Sequence, residues 1–160
     1  MKPYKYLILL LLLQSCGGSG ASEQGAMSQE SDLPIMSVQM SDGTFQPINK
    51  LQGKTILVIF QPGCDHCQRE AASMSEHLDR FKDYQVYFIS SAATSDNIQF
   101  ASDYGLSGAS NFRFGTTTSD HIVQHFGSIP TPSVYVYSEQ GELLNEFIGE
   151  TPIEEILQVI

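Results

Sequence analysis

The chain has 160 residues, 41% of them hydrophobic and 16% charged, which is enough for one domain with a real core and too short for two. Eight lysines and arginines stand against 18 aspartates and glutamates, a formal charge of -10 that is unlike a nucleic-acid binder. Three cysteines exclude a framework of several disulfides.

The first fifteen residues read as a bacterial secretory signal peptide. Lys2 and Lys5 form a positive start and Leu7 to Leu13 an unbroken apolar run. That run is shorter than the roughly 20 apolar residues needed to span a bilayer. It ends in Leu13-Gln14-Ser15-Cys16, which resembles the lipobox of bacterial lipoproteins: a small residue before the cut, then the cysteine that receives lipid. The resemblance implies a signal peptide over 1–15 and a membrane anchor through lipid on Cys16. Cleavage there removes Lys2 and Lys5 and no acid, leaving 6 basic and 18 acidic residues and a charge of -12. Residues 16–31 are rich in Gly, Ser, Gln and Glu, cannot repay the entropy of ordering, and are expected to be a flexible linker. The domain is expected over 32–160.

Ile35 to Met40, Ser41-Asp42-Gly43 and Thr44 to Gln46 predict a hairpin with Asp-Gly in its turn. Thr55 to Phe60 is an apolar, β-branched run suited to a strand buried on both faces. After Gln61-Pro62-Gly63 comes Cys64, and Ala71, Met74, Leu78 and Phe81 recur at spacings of three and four, predicting a helix to about Phe81. Val86 to Ile89 reads as a second central strand, Asp96 to Tyr104 as a helix, Asn111 to Phe114 as a short strand and Ser119 to Phe126 as a helix. Val134 to Tyr137 and Leu143 to Ile148 predict a hairpin around Glu139-Gln140-Gly141-Glu142, and Thr151 to Ile160 a final helix. Strands and helices interleaved in this order argue for an α/β fold with helices on both faces of the sheet. The aromatic residues of the strands are read as core.

If Cys16 carries lipid, the remaining cysteines form one pair, Cys64-Asp65-His66-Cys67. A bridge closing so small a loop constrains the unfolded chain little, so catalysis explains it better than stability does. A thiolate is the attacking species, and the N–H groups and dipole at a helix N-terminus favour it. Two intervening residues place the second thiol one helical turn on, within reach of the mixed disulfide formed by the first. Cys64 is therefore the expected nucleophile and Cys67 the expected resolving thiol. A protonated His66 would favour the Cys64 thiolate and Asp65 would oppose it.

Gly63 to Glu70 after an apolar strand resembles the active-site loop of TlpA-like proteins of the thioredoxin superfamily. Ser128-Ile129-Pro130-Thr131 ahead of the Val134 strand resembles that superfamily's Ile-Pro-Thr segment. The resemblance covers roughly residues 33–160. It implies a thioredoxin-like fold with a helix–strand insertion over 96–114, and thiol–disulfide exchange with protein substrates in the cell envelope, more in the reductase direction. No prosthetic group and no metal would be needed, and a membrane or periplasmic donor would restore the dithiol. It also implies that Pro130 is cis and faces the cysteines, that Ile129 and Thr131 border a bound substrate segment, and that Glu70 assists proton transfer. Three departures concern the direction of the redox reaction. Gly63 replaces the usual tryptophan, His66 replaces a common proline, and apolar Val58 stands where a polar strand residue is often found.

Three other readings compete. A peroxiredoxin-like peroxidase shares the insertion, but its Thr-x-x-Cys pattern has Gln61 here. A metal-binding module would combine Cys64 and Cys67 with His121 and His125, but 53 residues separate the two pairs and the histidines flank Ile122, Val123 and Phe126 as on an ordinary helix. A non-catalytic scaffold would carry the cysteines as an inert bridge.

Overall fold

The computed structural model describes residues 31–160. Cys16, the segment read as a signal peptide and nearly all of the expected linker lie outside the described residues. A seven-stranded mixed sheet forms from β1 (Ser37–Met40), β2 (Phe45–Pro47), β3 (Thr55–Ile59), β4 (Gln85–Ser90), β5 (Phe112–Thr116), β6 (Ser133–Tyr137) and β7 (Leu143–Ile148), in spatial order β2-β1-β5-β4-β3-β6-β7. β3, β4 and β5 run parallel, while β6 lies antiparallel on the other side of β3 and β7 antiparallel on β6. The hairpin β1–β2 turns at Gly43, whose φ of 84° lies in the left-handed region, and joins the sheet antiparallel to β5. Three helices connect strands, α1 (Asp65–Ser75), α2 (Thr94–Asp103) and α3 (Ser119–Phe126), and α4 (Ile153–Ile156) follows β7.

Every residue of β3 is buried because both faces of the sheet are covered. Ile56 and Val58 face a core with Ala71 and Met74 of α1, Phe100 of α2 and Ile153 and Ile156 of α4. Leu57 and Ile59 face the opposite core, with Ile122 of α3, Tyr135 and Tyr137. The strand aromatics fill these cores as expected: Phe88 and Phe114 stack at 4.9 Å between centroids, and Phe60 packs on Phe100 at 4.7 Å.

Two predicted helices are shorter than expected. The helix over 64–81 is two pieces, α1 and a 3-10 turn at Leu78–Phe81. Ser75 Oγ donates to the Ala72 carbonyl at 2.8 Å and His77 Nδ1 sits 2.9 Å from the Ser73 carbonyl, so side chains compete with the backbone ladder there. In the last segment only Ile153–Ile156 is α-helical, although Leu157, Val159 and Ile160 still pack on the core. Their apolar character reflects packing and not helical periodicity.

The insertion is fastened by Asn97, fully buried on α2. Its Nδ2 donates to the Gly115 carbonyl at 3.2 Å and to Thr116 Oγ1 at 3.0 Å, and its Oδ1 accepts from Ser90 Oγ at 2.7 Å. Gly115 itself lets β1 and β5 approach, since a Cβ there would lie 2.4 Å from Val38 Cγ1 and 3.2 Å from the Gln39 carbonyl. Gly115→Ala should therefore destabilise the fold by about 1–3 kcal/mol through overpacking, read as a lower urea midpoint at unchanged slope. An unchanged midpoint would show that the strands separate freely at this point.

Candidate active site

After β3, an interior strand of the sheet, the chain turns through 61–63 into α1. Gln68 Nε2 ties this turn to the helix by donating to the Pro62 carbonyl at 3.0 Å. Cys64 is the N-cap of α1: its sulfur accepts the Cys67 N–H at 3.4 Å, in the position that a serine or aspartate oxygen takes at other helices. The Cys64 thiol also points at the Thr131 carbonyl, 3.4 Å away. Cys64 is half-buried, whereas Cys67, one turn on, is only 1% exposed and packs among the core residues beside α1.

Position separates the two thiols chemically. Partial burial pushes the Cys64 thiol up, but this is outweighed by hydrogen bonds from the Cys67 thiol and N–H, from the Thr131 side chain and from the His66 N–H, so its pKa falls below the usual thiol value. Burial pushes Cys67 up to about 12, and the adjacent Cys64 acts in the same direction. The pair thus consists of one accessible, readily ionised sulfur and one shielded thiol that holds its proton.

Glu70 lies three residues beyond Cys67 on α1, on the same side of the helix, and is 3% exposed. Oε2 accepts the Thr151 N–H at 3.2 Å, while Oε1 has no hydrogen-bond partner. Burial pushes its pKa up to about 7, partly offset by the Thr151 N–H and reinforced by the charge of Glu150.

The ring of His66 turns away from the dithiol. Nδ1 contacts the carboxylate of Glu150 and lies 2.7 Å from Arg69 Nη2; as N–H it donates to Glu150, and as a bare nitrogen it accepts from Arg69. Only the backbone N–H of His66 reaches the Cys64 sulfur. His66 and Glu70, one helical turn apart on α1, thus contact the adjacent residues Glu150 and Thr151.

The proline expectation needs correction. The cis peptide is Thr131–Pro132, and Pro130 is an exposed residue in a trans peptide. The Ile-Pro-Thr match selected the first proline of Pro130-Thr131-Pro132. The residue directly before the strand is Pro132, because β6 begins at Ser133, one residue earlier than the sequence pattern indicated. Thr131, expected to border a substrate segment, has its carbonyl 3.4 Å from the Cys64 sulfur. Ile129 is half-buried against α3's core and lines, with Thr131, Gln61, Ile122 and Val123, a groove of about 150 Å³ next to the dithiol. Arg69, Glu150 and Thr151 were missed by sequence reasoning; the last two lie about 80 residues from α1 and nothing local marks them. Among the described residues no three His, Cys, Asp or Glu side chains are grouped to hold a metal. His121 hydrogen-bonds Thr117 Oγ1 at 3.2 Å on α3.

The buried carboxylate makes a stability prediction. Folded Glu70 keeps its proton up to about pH 7, whereas in the unfolded chain it loses it near 4.5, so between these values the folded state binds more protons. Stability should fall as pH rises through this window, by on the order of 3 kcal/mol from this one group. Urea midpoints of the chain and of Glu70→Gln, measured from pH 4 to 8, should diverge accordingly; parallel curves would show that Glu70 ionises normally.

Comparison with known proteins agrees with this geometry. Residues 30–145 match the model of the AhpC/TSA family. The chain is 24% identical over 164 residues to the thiol-disulfide oxidoreductase ResA of Bacillus thuringiensis subsp. konkukian, covering 96% of this chain and 91% of ResA. Among solved structures it resembles a secreted Mycobacterium tuberculosis disulfide oxidoreductase homologous to E. coli DsbE, with TM-score 0.62, 18% identity and coverage of 78% of this chain and 92% of the other. It also resembles peroxiredoxin Q of Xanthomonas campestris, with TM-score 0.63, 13% identity and coverage of 80% and 90%. The fold is thioredoxin-like, and the chain belongs to the AhpC/TSA family.

Proposed function

We propose that the chain is a thiol–disulfide oxidoreductase that reduces protein disulfides, with Cys64 as nucleophile, Cys67 as resolving thiol and Glu70 as the base for Cys67. The observation that carries this reading is the asymmetry of the dithiol. The sulfur that caps the helix is accessible and easily ionised, and its partner is buried with a pKa of about 12.

The Cys64 thiolate attacks one sulfur of a substrate disulfide, forming a mixed disulfide and releasing the other sulfur as a thiolate. Cys67 gives its proton to the Glu70 carboxylate and attacks the Cys64 sulfur, expelling the second substrate sulfur as a thiolate. The substrate gains two electrons and, with protons from Glu70 and water, becomes a dithiol; the chain is left with a Cys64–Cys67 disulfide. A base titrating near neutrality suits a thiol that ionises far above it. The buried thiol also supports the reductase direction, because a dithiol whose second thiolate is poorly stabilised gives up electrons readily. Thr131, with Ile129 and Pro130 beyond it, borders the entrance at which an extended substrate segment would lie.

The comparisons support this reading by name, ResA being a thiol-disulfide oxidoreductase and the M. tuberculosis protein a secreted one. For the rest of the molecule, the reading is a signal peptide over 1–15, lipid on Cys16, a tether over 16–31 and a domain over 32–160. On this reading the domain is a membrane-anchored lipoprotein of the bacterial cell envelope that faces the periplasm, where a membrane or periplasmic donor returns the disulfide to a dithiol. Gln61, which donates from Nε2 to Ser91 Oγ at 2.8 Å, occupies the position where a peroxiredoxin has its threonine, and this disfavours peroxide as the oxidant.

Cys67→Ala should accumulate mixed disulfides with protein substrates through Cys64, visible as thiol-sensitive adducts in non-reducing gels. Cys64→Ala should form none. Glu70→Gln should slow the second step about tenfold or more while leaving mixed-disulfide formation intact. An inert structural bridge would trap nothing in the Cys67→Ala variant.

A further inference from the structure

Glu70 has a single hydrogen-bond donor, the Thr151 N–H at 3.2 Å, and its Oε1 is unpartnered. That donor belongs to the turn between β7 and α4, which is tied to its surroundings by few bonds. Thr151 Oγ1 donates to the Gly149 carbonyl at 3.1 Å, and the Gly149 N–H to the Pro132 carbonyl at 2.9 Å. Neither bond holds the turn against α1.

The residue before Thr151 does. Glu150 receives Arg69 Nε on Oε1 at 2.7 Å and Arg69 Nη2 on Oε2 at 2.6 Å, the two parallel bonds that guanidinium and carboxylate geometry favours, and the His66 ring also contacts Oε2. Together these contacts hold the Glu150 carboxyl down to about 2. Arg69 and Glu70 are neighbours in the sequence and contact adjacent residues of the turn, Glu150 and Thr151. A turn gripped by Arg69 is therefore held across Glu70. Between them lies a cleft of about 280 Å³ lined by Arg69, Glu70, Ser73, Glu150, Thr151 and Pro152, through which water would reach the carboxylate if the turn moved off.

We infer that Glu150 is a positioning residue for Glu70: its two-bond pairing with Arg69 fastens the β7–α4 turn onto α1, and so keeps the Thr151 N–H on the buried carboxylate and bulk water away from it. The inference rests on the reading of Glu70 as the base for Cys67 only for its functional consequence; the positioning itself stands on the geometry. An isolated surface ion pair contributes little to global stability. Here it acts on a short turn whose position decides whether one carboxylate is dry.

The ionisable and charged groups around Glu70 are Cys67 and Arg69 on its own helix and Glu150 on the turn, with His66 connected through Glu150. Releasing the turn removes the burial that most raises the Glu70 midpoint, and it also removes the Thr151 donor that lowers it. Burial is the larger effect, so the midpoint should fall. Glu150→Ala also deletes a negative charge, which lowers the midpoint by itself. Arg69→Met keeps that charge and frees it from its partner, which would raise the midpoint unless the turn has moved.

The test follows the Glu70 carboxyl carbon by NMR through a pH titration of the full chain in its dithiol form, together with hydrogen exchange of the Thr151 amide. In both Glu150→Ala and Arg69→Met the Glu70 midpoint should drop by about one pH unit or more, and the Thr151 amide should exchange about tenfold faster or more. The double variant should add little to either. If Glu150→Ala fails to fold, Arg69→Met carries the test alone. An unchanged Thr151 amide, or a midpoint that falls in Glu150→Ala and not in Arg69→Met, would overturn the inference by reducing Glu150 to a distant charge. Neither readout depends on turnover. A Glu70→Gln variant that resolves mixed disulfides at the parent rate would remove the base role and leave the positioning intact.

Discussion

The chemistry of the dithiol follows from where α1 begins. The helix opens on a sulfur: Cys64 accepts the N–H that an oxygen would otherwise cap, and the same geometry that ends the loop also favours the thiolate. One turn later the helix enters the core, so the second thiol is buried for the same reason that Ala71 and Met74 are. Two cysteines three residues apart therefore sit in different media. Their difference in acidity comes from the depth of burial of Cys67 and from the hydrogen bonds that Cys67, Thr131 and the His66 N–H direct at Cys64.

Burying a thiol costs little, but burying a carboxylate without full hydrogen bonding costs far more. Glu70 is tolerated at this depth because it takes up a proton near neutrality instead of staying charged. A buried carboxylate with an unpartnered oxygen is a poor structural choice, and the proposed role as base for Cys67, one helical turn away, gives a reason for it. The exposed cluster of His66, Arg69 and Glu150 governs this buried group from outside, through the backbone of Thr151.

The sequence made the fold legible wherever periodicity was strong. β3 was recognisable as a strand buried on both faces, α3 and β7 have the expected limits, and the Asp-Gly turn closes the first hairpin. The cysteine spacing placed both thiols on the first turn of a helix. What was not legible depended on contacts across the chain. Nothing in the run from Leu78 to Phe81 shows that Ser75 and His77 interrupt the helix, and nothing near Glu150 shows that it meets Arg69, 81 residues away. With two prolines two residues apart, a short motif match selected the wrong one; only the start of β6 distinguishes them. The ring of His66, which sequence placed between the cysteines as a partner for Cys64, is drawn outward by Glu150 and Arg69.

The central claim is that this asymmetric dithiol donates electrons. Its most direct test is the reduction potential of the Cys64–Cys67 pair, obtained by equilibrating the chain with defined thiol–disulfide buffers and counting the fraction oxidised. A buried second thiol predicts a value near or below roughly -250 mV, in the range of reducing thioredoxins. A value above roughly -180 mV would contradict the account and identify the protein as an oxidase or isomerase.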